Sequence, residues 1–231
     1  MRETLRRGRA VDIETTEAIE DYVKAIYSLQ HGGDEAVTTS ALAERLDVTP
    51  GSASGMVKKL AGLGLVDHVP YRGVVLNALG RRLALEVLRH HRLLELYLTE
   101  AFGMPWDQVH AEAEKLEHVL SEELEDLIAT KLGDPTVDPH GDPIPRRDGS
   151  IDEPHTRSLS DLAPGDRAVF LRVSDSDADM LRYLAERDIR PGRELEVVDK
   201  QPFGGPLFVR IAGSDHALGG ALARAMRMKL L

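Results

Sequence analysis

Between Glu17 and Leu29 the apolar positions Ile19, Tyr22, Val23, Ile26, Tyr27 and Leu29 recur every three or four residues, which predicts an amphipathic helix with one buried stripe. Thr15-Thr16 offers cap residues before it, and His31-Gly32-Gly33-Asp34 ends it. Thr38-Thr39-Ser40 provides a second cap ahead of a short helix over 41–46. A break at 47–51 follows, and 52–60 reads as a third helix closed by Gly62-Leu63-Gly64-Leu65-Val66. Two β-like runs, 65–69 and Gly73–Leu76, then flank Pro70-Tyr71-Arg72.

Helical periodicity resumes over 81–102 and again from Val109 to about Lys131. There Val109, Ala113, Leu116, Leu120, Leu124 and Leu127 predict a second buried stripe, with Ser121-Glu122-Glu123 opening a further turn or a separate helix. Residues 133–154 are rich in Pro, Gly and Asp and read as a linker. Beyond Ser158 the period shortens. Residues 168–173, 194–198 and Leu207–Ile211 are candidate strands, a helix is expected near 177–186, and 216–218 and 227–230 are expected to add edge strands. The resulting fold class is mainly α with a small β-barrel. The expected parts are a winged helix-turn-helix over 1–82, a helical dimerisation and metal-binding domain over 83–150, and an SH3-like β-barrel over 151–231.

Two short helices about four residues apart, the second with small polar and basic side chains on its first turns, match a helix-turn-helix; the two β-like runs supply a wing. A plain three-helix packing unit is the alternative. Charge distribution separates the two. The net charge of −10 argues superficially against a polyanionic partner, yet residues 1–82 hold equal numbers of basic and acidic side chains. The window 48–66 carries Lys58 and Lys59 and no acid. Thr39, Thr49, Ser52, Ser54, Lys58, Lys59 and Arg72 are therefore the candidate contacts to double-stranded DNA.

The absence of Cys excludes disulfides and thiolate metal ligands together. No stretch has the length and apolarity of a membrane span or a signal peptide, so a cytoplasmic protein is expected. The chemistry that remains is concentrated in His110-Ala-Glu-Ala-Glu-Lys-Leu-Glu-His118. On a continuous helix His110, Glu114, Glu117 and His118 would share one arc beside the apolar stripe, either as a metal site or as a solvated acidic face. His91 and Glu95, four apart, form a weaker pair. Asp175, Asp177 and Asp179 cluster near the late helix, where alternating Asp most often caps. A di-metal carboxylate and histidine enzyme is the competing class. Neither a paired Glu-x-x-His from a second helix nor a nucleophile motif accompanies the cluster, so neither an enzyme nor a small-molecule substrate is expected.

The order of parts resembles the diphtheria toxin repressor family of metal-dependent transcriptional repressors, including its manganese-responsive branch. The residues that carry the resemblance are Thr15-Thr-Glu17, Glu20-Asp-Tyr-Val-Lys-Ala-Ile-Tyr27, Ala41-Leu-Ala-Glu-Arg-Leu46, His91-Arg-Leu-Leu-Glu95, Val109-His110 with Glu114, Glu117-His118-Val-Leu-Ser121 and His140-Gly-Asp-Pro-Ile-Pro145. The resemblance implies a homodimer that binds operator DNA when loaded with metal and controls manganese or iron homeostasis genes. It implies an activating metal at Asp21, Glu114, Glu117 and His118. A neighbouring metal would use His91, Glu95 and His110, with a third-domain ligand near Asp177, followed by Asp179 and Met180. Asp21 and Glu114 stand where iron-responsive members place sulfur ligands. Oxygen donors there favour Mn²⁺, with Fe²⁺ possible. Two positions depart from the pattern: Lys24 stands where manganese-branch members carry Glu, and Gly55 where some relatives carry Gln on the recognition helix.

Overall fold

The computed structural model describes residues 15–30 and 33–231. His31 and Gly32 of the expected first helix terminator, and residues 1–14 of the expected non-secretory N-terminus, lie outside the described residues. The described chain forms eight α-helices and eight strands and divides into two units.

Unit 1 comprises the described residues up to His91, with Leu116–Leu127 and Pro145–Ser150. It begins with α1 (Glu17–Leu29), whose Ile19, Tyr22, Val23, Ile26 and Tyr27 are buried as the periodicity requires. α2 (Thr39–Arg45) starts on Thr38, whose side chain accepts from Ala41 N. α3 (Pro50–Gly62) starts on Thr49, which accepts from Ser52 N and places Pro50 in the first turn, where its missing N–H costs nothing. Such caps contribute about 1 kcal/mol each. The helix is longer at both ends than the 52–60 expected. β1 (Val66–Val69) and β2 (Gly73–Leu76) pair antiparallel as the wing. Val37 and Val74 exchange backbone hydrogen bonds of 2.8 and 3.0 Å, tying the segment before α2 to the wing. The close approach demands Gly73, which has φ +123° and where a Cβ would lie 2.0 Å from the Val37 carbonyl oxygen. α4 (Ala78–Phe102) starts at Asn77, whose Oδ1 accepts from Leu79 N and Gly80 N at 3.1 Å.

Unit 2 comprises Arg92–Lys115, Ile128–Ile144 and Ile151–Leu231. It takes the end of α4, α5 (Val109–Leu116) through Lys115, and the end of α6 (Glu122–Lys131). Its sheet is antiparallel throughout, in the order β3 (Arg157–Ser158), β8 (Met226–Leu230), β4 (Arg167–Val173), β5 (Glu194–Lys200), β6 (Leu207–Ile211), β7 (Ser214–Leu218). α7 (Ala178–Ala185) and the short α8 (Gly220–Ala225) complete it. Alternate residues Ala168 and Phe170, Leu195 and Val197, Leu207 and Val209, and Met226 and Met228 point into one core, joined by Trp106.

Four expectations are corrected. First, the single buried stripe expected from Val109 to Leu127 does not form: the separate helix that Ser121-Glu122-Glu123 can open is what occurs, since α5 ends at Leu116 and Ser121 Oγ accepts from Leu124 N to start α6. Consequently Leu116, Leu124 and Leu127 are exposed instead of forming a buried stripe. Second, residues 227–230 belong to an interior strand, because β8 pairs with both β3 and β4. Third, 133–154 is no loose linker: Asp138, His140 and Ile144 are buried, and Val137 bridges Pro143. Fourth, His91 and Glu95, which the sequence offers as no more than a weaker pair, are both buried. No helix among the described residues is long and apolar enough to cross a membrane.

Candidate metal centre

The turn between α5 and α6 positions the unit 1 site. α1 carries Glu20 and Asp21 as consecutive residues, and the turn brings Glu117 and His118 to them. Glu117 is 1 % exposed, and a buried carboxylate survives only with its charge matched. Its Oε1 accepts from Lys24 Nζ at 2.5 Å, and its Oε2 faces His91 Nδ1 at 2.5 Å. His118 lies between two acids, with Nδ1 2.7 Å from Glu20 Oε2 and Nε2 3.0 Å from Asp21 Oδ1. The same Nε2 is 3.4 Å from Glu117 Oε1. Asp21, foremost, and Glu20 push the His118 pKa up to about 10 despite partial burial. Glu20 also accepts from the Thr15 hydroxyl at 2.6 Å, which fixes it as the group that orients the ring.

Ligand atoms of Asp21, Glu117 and His118 lie within 4.8 Å of one another. This carboxylate–imidazole set, already gathering cationic charge on His118 and Lys24, fits a divalent cation with hard or borderline preference. Lys24 cannot itself be a ligand while charged. In the structure it neutralises Glu117.

Unit 2 gathers a second set. His110 Nδ1 is 2.9 Å from Asp175 Oδ2 and 3.4 Å from Glu95 Oε1, while Nε2 is 3.8 Å from Glu114 Oε1. Asp175 first and Glu95 next push the His110 pKa up to about 10. Glu95 is fully buried, and its Oε2 is 3.6 Å from Nδ1 of the buried His140. His140 Nε2 lies 2.7 Å from the Trp106 carbonyl, and the two rings stack. Burial opposes a charge on His140, but Glu95 outweighs it and raises the pKa to about 9. Asp138, its carboxyl held well above the usual range by burial, accepts from His140 N and Asp142 N.

Of the residues expected from sequence, Asp21, Glu117 and His118 meet in unit 1, and Glu95, His110 and Glu114 meet in unit 2. Asp177 joins neither set. Its Oδ1 accepts from Asp179 N and Met180 N at 3.0 Å as the cap of α7, and Asp175, two residues earlier, is the acid that reaches His110. Asp179 is 90 % exposed at its side chain and pairs with Arg182. Sequence reasoning also passed over His140 and Asp138. The only signal for His140 was the His140-Gly-Asp-Pro-Ile-Pro145 motif, and Asp138 lay two residues before it, inside a segment that composition made a linker.

The nucleic-acid candidates lie on α2, α3 and the wing. Thr49, Ser52, Lys58, Lys59 and Arg72 are exposed, while Thr39 and Ser54 are half-buried. Thr49 Oγ1 and Ser52 Oγ are 3.0 Å apart at the start of α3.

Residues 14–74 match the domain described as iron dependent repressor, N-terminal DNA binding domain, and 77–146 match iron dependent repressor, metal binding and dimerisation domain. Residues 157–229 match the FeoA domain. The diphtheria toxin repressor of Corynebacterium diphtheriae is 33 % identical over 231 residues, covering 95 % of this chain and 98 % of that protein. The chain belongs to the diphtheria toxin repressor family. The iron-dependent repressor IdeR of Mycobacterium tuberculosis is 31 % identical over 94 % of this chain and 98 % of its own. A solved manganese-dependent transcriptional repressor in complex with manganese superposes with a TM-score of 0.87 at 42 % identity, covering 92 % of this chain and all of that one. These family relationships account for the helix-turn-helix, the helical segment and the small antiparallel sheet in that order.

Proposed function

We propose that this member of the diphtheria toxin repressor family is a cytoplasmic, homodimeric repressor activated by Mn²⁺, with Fe²⁺ as a weaker candidate, that acts on manganese or iron homeostasis genes. The observation that carries the reading is the meeting of Asp21, Glu117 and His118 across α1 and the α5–α6 turn. A bound cation would supply positive charge that holds these acids together. The resemblance adds Glu114 to this set and groups His91 with Glu95 and His110, and the 2.9 Å approach to His110 supports Asp175 as the third-domain ligand. Oxygen donors at Asp21 and Glu114 support Mn²⁺, because softer metals are selected by sulfur. The family's character as DNA-binding repressors weighs against the di-metal enzyme.

In this reading, Asp21 ties α1 to the turn bearing Glu117 and His118. α1 packs with α2 and α3 in the same unit, so metal uptake steadies the DNA-binding helices. Thr39, Thr49, Ser52, Ser54, Lys58, Lys59 and Arg72 then meet the operator, with α3 in the major groove. Exposed Val119, Leu124 and Leu127 support a homodimer. Calorimetric titration with Mn²⁺ tests the site. Asp21→Ala and His118→Ala should each abolish one binding event or weaken it at least tenfold, and an unchanged isotherm in both would refute the assignment.

A further inference from the structure

We propose that His90, Glu122 and Glu125 form another divalent-cation site, separate from both ligand sets above and suited to a borderline ion such as Zn²⁺. All three residues lie in unit 1, with His90 on α4 and the two acids in the first turn of α6. One ligand atom from each lies within 4.8 Å of the others. Small side-chain rotations close that spread onto one ion at about 2.0–2.2 Å.

The imidazole is the telling part. His90 is 2 % exposed and both ring nitrogens face acceptors, Nδ1 at 3.2 Å from the Glu117 carbonyl and Nε2 at 3.1 Å from Glu125 Oε2. A neutral ring has a single N–H. With Nδ1–H donated to the carbonyl, a bare Nε2 would confront a carboxylate in a buried place, so a cation, either a proton or a metal ion, must lie between them. An N–H donated to a main-chain carbonyl is also how metal-bound imidazoles are oriented.

The acids are prepared in the same way. Arg89 Nε bonds Glu125 Oε1 and leaves Oε2 turned to His90. Arg147, half-exposed, reaches Glu122 Oε2 at 3.3 Å while also bonding Asp126. Burial, and next the charge on Glu125, hold the Glu122 carboxyl above its usual range, while, despite burial, His90 and Arg89 hold Glu125 below its own. One nitrogen and two oxygens, with the edge beside Arg147 open to water, give three protein ligands and a fourth position. That is a coordination zinc accepts, and in an N/O site zinc outcompetes manganese.

The test is anomalous scattering at the zinc edge from crystals of the full chain grown with Zn²⁺, together with zinc titration of His90→Gln and Glu122→Gln. The expected result is a zinc peak bonded to His90 Nε2 and Glu125 Oε2, and the loss of one equivalent in each variant. Glu122 is at the edge, with 20 % side-chain exposure, so Glu122→Gln carries the result if His90→Gln fails to fold. A saturated crystal with zinc peaks only elsewhere, or full stoichiometry in Glu122→Gln, would overturn the site and leave a protonated His90 paired with Glu125. An Asp21→Ala arm keeps the readings separate, because its loss of metal reports only on the Asp21 set.

Discussion

His118 is held by Asp21 on one ring nitrogen and Glu20 on the other, and this pairing determines how the protein should answer to pH. Its pKa is raised from 6.5 to about 10, so the ion-pair stabilisation of the metal-free fold is fully present below about pH 6.5 and is lost as pH rises through about 10. Metal uptake runs the other way, since Nε2 must shed its proton to become a ligand. Affinity should rise about tenfold per pH unit for each proton released in that window. Mn²⁺ titration at neutral pH in buffers of different ionisation enthalpy should show about one proton released at the Asp21 set. Buffer-independent heats would contradict the protonated His118. Glu117 was legible as a ligand candidate from its spacing to His118, but its pairing with Lys24 was not, because the two are distant in sequence and only the fold brings them together.

At the level of elements, periodicity located α1, α2, α3, α4 and the wing because each buries the stripe its spacing defines. It failed between α5 and α6. No Gly or Pro interrupts residues 107–132, and Leu116, Leu120 and Leu124 continue the rhythm, so the one local signal, Ser121-Glu122-Glu123, does not decide between a further turn and a separate helix. The exposed apolar positions make a second point: a surface that docks on another copy has the same spacing as a core stripe. Val119 and Leu127 are 69 % and 67 % exposed. The double change Val119→Glu, Leu127→Glu should convert the dimer to monomer in light scattering at micromolar concentration while leaving the circular dichroism unchanged. A persistent dimer would move the interface elsewhere. Strand order was illegible too: β8 reads like any short edge run, and its place between β3 and β4 comes from pairing that pattern does not encode.

For the whole molecule, the uneven charge fits a repressor. The acid-free window around Lys58 and Lys59 lies on α3, while the excess of acidic residues falls after residue 82, where the expected metal ligands other than Asp21 lie. An acidic protein can thus present a neutral-to-basic face to DNA. In the proposed reading the metal would add little charge to that face directly and would act by holding α1, and with it α2 and α3, in the arrangement the operator accepts. The most direct measurement is fluorescence anisotropy of a labelled duplex carrying the upstream promoter region, titrated with wild-type and Asp21→Ala protein, with and without Mn²⁺. Wild-type protein should bind at least tenfold more tightly with Mn²⁺, and Asp21→Ala should lose that difference. Equal wild-type affinity with and without Mn²⁺, or full stimulation of Asp21→Ala, would contradict metal-coupled repression through this site.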